Sequence, residues 1–458
     1  MARHRNEDVF DSVTTSLCSV CAETVPARIV RRGTSVHLLK RCPAHGPHEE
    51  LLEEDAKFYM RRDDYRAPPT PSSVDTEIRL GCPHDCGLCP DHAQHTCIGL
   101  IEVTNACDAA CPICYARAGG NTVLDLATIG KMLDAYLEAE SGNAEILQIS
   151  GGEPTTHPQI VDIIRLARNK GIRYVMLNTN GIRLAEEPGF AESLAEFHGG
   201  FEIYLQFDGF DPKASRAFRG TDRTGTHQRA LDRLAATGVP ATLVNTVEAG
   251  VNDDQLGRII EFGLSSPAVR GINFQPLAYF GNADQRPSGG RVTLTGVIKR
   301  IKEQTNGMLR PDDFIPLPCD PNRVAFSYLY RQGGRFVPMA RRSDLRQYLT
   351  ETGNTLAFFP KDALARISES FCCGQTCSCI AAVKDLIPLI PLARRAARAK
   401  DKVAFTTENF FRVTVTSFLD RYNFDLQSMQ MECVHVLTPD GRRIPFSAYN
   451  LFHRGKCR

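Results

Sequence analysis

EVTNACDAACPICYA, residues 102–116, and QISGGEPTTHP, residues 148–158, decide how this chain is read. Cys107, Cys111 and Cys114 stand in C-x3-C-x2-C spacing just after GLIEVT (99–104), an apolar, β-branched run that predicts a strand. The second quotation ends another such run, EILQIS (145–150). Further strands are predicted at RYVMLN (173–178), EIYLQF (202–207), ATLVNTV (241–247) and GINFQ (271–275). Between them LATIGKMLDAYLEAE, HPQIVDIIRLARNK, HQRALDRLAAT and NDDQLGRIIEFGL carry apolar residues at three- and four-residue spacing, the pattern of one-faced helices. Repeated strand–helix units imply an α/β fold with a parallel sheet. Six units fall short of a complete eight-fold barrel, so a partial TIM-like (β/α)6 barrel is expected. Loops at the C-terminal ends of such strands build the site. There, three thiolates can hold three irons of a [4Fe-4S] cluster and leave the fourth iron open.

The chain has 458 residues, a net charge of +1 and 17 cysteines, with no tryptophan. Near-neutral charge argues against a nucleic-acid partner, which would call for a basic footprint. The polar N-terminus MARHRNEDVFDSVTTS lacks the apolar core of a signal peptide, which points to the reducing cytoplasm and to metal rather than disulfides. No apolar run approaches the roughly 18–20 residues that span a bilayer. Residues 1–15 are expected to be a disordered tail. Residues 16–65 form a metal-knuckle domain in which Cys18, Cys21, Cys42 and His45, with His48 as competitor, hold iron or zinc, and two strands pair between the knuckles. Residues 66–97 are a Pro/Ser linker followed by GCPHDCGLCPDHAQHTC, where Cys82, Cys86, Cys89 and Cys97 can saturate an auxiliary cluster or a zinc ion. The barrel occupies 98–284. A separate C-terminal region, 285–458, carries Cys319, Cys433 and the dense FCCGQTCSC, whose Cys372, Cys373, Cys377 and Cys379 are expected to combine in part with Cys319 or Cys433 around a further cluster. Cys457 has no assigned role. DLIPLIPLARRAARAK leaves open a peripheral contact with the inner face of the membrane, although a buried loop leading into a solvated basic helix is the plainer reading.

The cysteine triplet and the GGE at the next strand end resemble the radical S-adenosylmethionine superfamily. The resemblance implies that the open iron chelates S-adenosylmethionine. Reductive cleavage by one electron from an external reductant then gives a 5′-deoxyadenosyl radical that takes hydrogen from an unactivated carbon. It further implies that Tyr115 packs near the adenine and that Gly151, Gly152 and Glu153 bind the methionine amino group. Gln206 and Asp208 could reach the ribose hydroxyls. Asn178, Asn245 and Asn273 end other strands and serve equally as cofactor contacts or plain strand-end hydrogen bonds. A structural zinc site, the competing reading of the triplet, would want a fourth Cys or His and would not predict the GGE.

Within the superfamily the knuckle with CPAHG, the 82–97 loop, the triplet and CVHVLTPDGRRIPFSAYN resemble the branch of tetraether lipid synthases and dihydropterin methyltransferases. The chain departs from that branch at Ser447 and over Asp320–Arg323, where the pattern carries cysteines. Three functions fit these features. The first is C–C bond formation on a lipid or other apolar substrate. The second is radical methylation of a dihydropterin-like heterocycle. The third is a zinc-stapled binding protein without catalysis.

Overall fold

The computed structural model describes residues 8–66, 73–85, 87–285, 290–341 and 408–454, with isolated positions between 395 and 405. Strands β1 (Val9–Leu17), β2 (Thr24–Arg32), β3 (Ser35–Cys42) and β4 (Gly46–Glu53) form an antiparallel sheet in sequence order. This corrects one expectation and meets another. The tail is structured from Val9 onward because β1 pairs with β2 along its length. The two strands expected between the knuckles are β2 and β3, which pair antiparallel, and β1 and β4 flank them. Alternation drives it: Ala27, Ile29, Val36, Leu38 and Leu52 point to one buried face. That small core is propped by its neighbours. Glu53 accepts from the Thr295 amide and hydroxyl at 2.8 and 2.7 Å, and Lys40 Nζ donates to the carbonyls of Arg421 and Tyr422.

Among the described residues the second sheet has twelve strands. Its centre is the expected parallel series β5 (Ile98–Glu102), β6 (Ile146–Ser150), β7 (Tyr174–Thr179), β8 (Phe201–Gln206), β9 (Ala241–Val247) and β10 (Val269–Pro276). Every residue of β6 is buried, as befits a strand covered on both faces. The helix Leu126–Ala139 between β5 and β6 is started by Asp125, which accepts from the Thr128 amide, and it buries Ile129, Met132, Leu133 and Tyr136.

The C-terminal region is not separate. Its strands are β11 (Ile315–Leu317), β12 (Asp320–Gln332), β13 (Arg335–Pro338), β14 (Phe410–Thr416), β15 (Val434–Leu437) and β16 (Arg443–Pro445). They extend both edges of the barrel sheet, in the order β11-β12-β14-β10-β9-β8-β7-β6-β5-β15-β16. β14 joins β10, and β15 joins β5, each in parallel. Eight parallel strands therefore run side by side, two of them from the far end of the chain.

Candidate active site and metal centres

The Cys107–Cys114 loop leaves the C-terminal end of β5 and is pinned from two sides. The amides of Gly152 and Glu153 donate to the carbonyls of Thr104 and Ala106 at 2.7 and 2.8 Å. A Cβ on Gly151, at φ +145°, would strike Thr104 O, and one on Gly152 would strike Ala106 O. The two glycines are thus demanded by the close approach of two strand ends. On the other side Asn282 donates from its amide to Cys114 O and from Nδ2 to Cys111 O, and Gly281 lies against Tyr115 with no room for a side chain.

Glu153 is buried and already committed. Its Oε1 accepts from the Thr155 amide and hydroxyl and from Thr179 Oγ1; its Oε2 accepts from the Asn180 amide at 2.8 Å. Burial, outweighing those donors, pushes its carboxyl up to about 7. Asn180 in turn donates to Asp108 inside the cysteine loop at 2.6 Å. The polar residue linking the third strand to the site is therefore Asn180. Asn178, two residues earlier, accepts from Gln148.

Asp208 grips Arg219 through both carboxylate oxygens, at 2.6 and 2.7 Å, in a buried ion pair. Arg219 is hydrogen-bonded to the sulfur of Cys111, so burial raises that thiol while the guanidinium opposes the rise. Asn245 is fully buried and donates to Phe207 O at 2.8 Å, and Asn273 bonds Tyr204 and Thr416. Asp208 and Asn245, for which ribose and cofactor contacts were expected, are engaged by these internal partners. Gln206 differs: its Oε1 is buried with no hydrogen-bond partner among the described residues. An orphaned acceptor at a strand end fits a ligand hydroxyl. Tyr115 donates or accepts at Ser150 Oγ, 3.0 Å away, meets Phe446 edge-on, and has Arg454 over its ring. Arg219, Asn180, Asn282 and Arg454 were not found from sequence. Only Asn180, in NTNG at a strand end, carried a signal that could have exposed it.

Among the described residues, two groups bring their metal-ligating atoms mutually within 4.8 Å. The first is Cys18, Cys21, Cys42 and His45. His45 Nδ1 lies 3.6 and 3.5 Å from the sulfurs of Cys18 and Cys42, whereas His48 approaches only Cys18, at 3.8 Å. The geometry thus selects His45. Burial works against the Cys18 thiolate, yet amides of Cys21 and Val20 and the neighbouring thiols bring it down to about 6, which suits a metal ligand. The second group is Cys97, Cys319 and Cys433, all buried. Cys97 therefore leaves the set proposed with Cys82 and Cys89. It precedes β5 directly, and its amide donates to Cys433 O at 3.0 Å, so the pairing of β5 with β15 carries it away from the loop. Cys319 and Cys433 take Cys97 as partner. Cys86, Cys372, Cys373, Cys377, Cys379 and Cys457 lie outside the described residues, as does most of DLIPLIPLARRAARAK.

This loop of three cysteines on a parallel α/β sheet defines a class that the comparisons make explicit. Residues 101–263 match the model of the radical SAM superfamily, and residues 10–62 match the HMPTM N-terminal zinc ribbon domain. The 7,8-dihydro-6-hydroxymethylpterin dimethyltransferase of Methanocaldococcus jannaschii is 30% identical, over 97% of this chain and 94% of its own length. The chain belongs to the radical SAM superfamily and is a radical SAM enzyme. The GTP 3′,8-cyclase of Shewanella denitrificans is also 30% identical, over 35% of this chain and 48% of its own. Among solved structures, Streptococcus suis SuiB bound to its precursor peptide SuiA aligns with 12% identity and a TM-score of 0.39, over 65% of this chain and 69% of that one. Of the two catalytic readings above, the nearly full-length relative favours the pterin one over the lipid one that was placed first. No helix among the described residues is long and apolar enough to cross a membrane.

Proposed function

We propose that this enzyme methylates a reduced pterin of the 7,8-dihydro-6-hydroxymethyl type. The observation that carries the reading is the likeness to the dihydropterin dimethyltransferase, which runs through zinc ribbon, barrel and C-terminal strands alike. In this reading Cys107, Cys111 and Cys114 hold a [4Fe-4S] cluster whose open iron takes S-adenosylmethionine. Bound there, the pair supplies one-electron cleavage of S-adenosylmethionine and hydrogen abstraction.

The chain's own residues do the positioning. Glu153 ties the GGE turn to the ends of β6 and β7 through Thr155, Thr179 and Asn180, which leaves backbone groups of that turn to meet the methionine end of the cofactor. Gln206 Oε1 accepts from a ribose hydroxyl. Tyr115, backed by Phe446, covers the adenine side. Arg219, oriented by Asp208, sets the charge beside Cys111. An auxiliary cluster belongs to the loop of Cys82, Cys86 and Cys89, now without Cys97, and the ribbon holds zinc at Cys18, Cys21, Cys42 and His45.

Anaerobic reconstitution with iron and sulfide, followed by incubation with S-adenosylmethionine, a strong reductant and the reduced pterin, tests the proposal. The expected result is 5′-deoxyadenosine together with pterin products heavier by one or two methyl groups. Cofactor cleavage with an unchanged pterin, and coupled alkyl chains from a lipid extract instead, would reject pterin methylation in favour of the lipid reading.

A further inference from the structure

A strand covered on both faces buries its residues throughout, yet β7, β8, β9 and β10 each carry a half-buried residue near the C-terminal end: Asn178, Gln206, Thr246 and Gln275. Their neighbours Leu177, Leu205, Val247 and Phe274 point the other way, into the large core against the helices. The inner face of the curved sheet therefore borders free space just below the cysteine loop.

Ser150, whose Oγ lies 3.0 Å from the Tyr115 hydroxyl, marks the level of that loop. Gln148 is on the same face of β6, two residues or about 7 Å deeper. Its Nε2 donates to Asn178 Oδ1 at 2.8 Å, which consumes one amide hydrogen and one oxygen. Among the described residues Gln148 Oε1 and Asn178 Nδ2 meet no partner. An acceptor and a donor thus stand side by side at the edge of the space.

The remaining polar groups of this face are occupied. Asn273 bonds Tyr204 and Thr416. Deeper still the face turns apolar, with Ile146, Tyr174 and Met176 in one cluster. It ends on charge: the fully buried Glu202 accepts from Arg270 Nε at 3.0 Å, from Arg412 Nη2 at 3.3 Å and from Thr242 Oγ1 at 3.1 Å. A planar heterocycle with an amide-type edge would satisfy both free groups at once. A long alkyl chain would leave both unpaired and run onto buried ion pairs.

We propose that Gln148 and Asn178 read the 2-amino-4-oxopyrimidine edge of the substrate, Asn178 Nδ2 donating to the 4-oxo oxygen and Gln148 Oε1 accepting from the adjacent ring N–H. Held by that edge, a pterin turns its opposite ring, with the 6-hydroxymethyl group, up towards the cysteine loop. The inference rests on the pterin reading above and adds the residues that select the ring. Guanine carries the same edge, so the test separates the two sources.

Full-length enzyme, reconstituted anaerobically, is titrated with the reduced 6-hydroxymethylpterin, with its 2,4-diamino analogue and with guanosine triphosphate, and binding is followed by equilibrium dialysis. Wild type should bind the pterin at least about ten-fold more tightly than the diamino analogue, whose 4-amino group meets the Asn178 donor head-on. Asn178→Asp keeps the acceptor for Gln148 and turns the free donor into an acceptor. It should move the preference towards the diamino analogue by about ten-fold or more. Gln148→Leu, at wild-type iron and sulfide content, should raise KM for the pterin by about ten-fold, with a far smaller change in kcat. Should Gln148→Leu lose its cluster, the preference ratio of Asn178→Asp, internal to one protein, decides. An unchanged KM in Gln148→Leu, or an unmoved preference in Asn178→Asp, with the pterin still methylated, overturns this inference and leaves the pterin reading standing. Wild-type enzyme that binds none of the three ligands overturns both. Guanosine triphosphate bound in place of the pterin, with the Asn178→Asp variant weakening it, supports recognition of the edge and overturns the pterin as its bearer.

Discussion

Arg219 and Asp208 are paired below the catalytic loop where neither can be hydrated, and such a pair is worth most when one member is removed. Arg219→Ala should cost about 3 to 5 kcal/mol by leaving an unpaired buried carboxylate. Asp208→Asn combined with Arg219→Met should recover much of that loss, read from chemical denaturation. Cys111 makes a different test, since the proposed function requires it for chemistry rather than for folding. Cys111→Ala should abolish 5′-deoxyadenosine formation and remove the catalytic cluster, while the zinc of the ribbon stays, as measured by metal analysis and product assay. His227, buried beneath Asn180 and Phe207, has its imidazole pushed by burial down to about 4. The unfolded chain takes up that proton first, so stability should fall as pH drops from about 6.5 towards 4, by at most about 3 kcal/mol. His227→Gln should flatten this slope in denaturation midpoints measured across that range.

At the scale of elements, the strand ends matter more than the strands. The turn after β6 and the loop after β5 touch backbone to backbone at Gly151 and Gly152, so the GGE turn shapes the cysteine loop before any ligand arrives. Gly152→Ala should therefore push the loop outward, lowering bound iron and S-adenosylmethionine affinity together. Far-ultraviolet circular dichroism should be unchanged, because the helix and strand ladders are untouched. The six central strands and the four helices between them were readable from periodicity, since each carries a continuous apolar stripe or run against one large core. β14 and β15 were not read as barrel strands. Only the partner of each across the sheet, β10 or β5, says where it belongs.

For the whole molecule, the ribbon is bound to the rest through polar contacts that include Glu53 with Thr295, Glu54 with Arg300, and Lys40 with the carbonyls of Arg421 and Tyr422. Burial brings the Lys40 ammonium down to about 8, so its charge is retained for those carbonyls at neutral pH. Fifty residues with so small a core depend on their metal. Cys21→Ser should unfold the ribbon at a lower temperature than the barrel, splitting one thermal transition into two in calorimetry.

Residue order alone made the cysteine triplet, the GGE turn, the parallel series and the grouping of Cys18, Cys21, Cys42 and His45 legible, because each is written within a few neighbouring residues or one repeating period. Those signals are local, and local spacing is enough when a loop supplies all its own ligands. Folding in three dimensions was needed to move Cys97 from its neighbours at 82–89 to Cys319 and Cys433, more than 200 residues away in sequence. It was needed equally to place Arg219 beside Cys111 and to occupy Asp208 and Asn245 with partners of their own. The physical reason is common to all of these. A buried polar group takes the partner that the packed sheet brings within hydrogen-bond reach, and that partner is chosen by strand order and register, which no short stretch of sequence records.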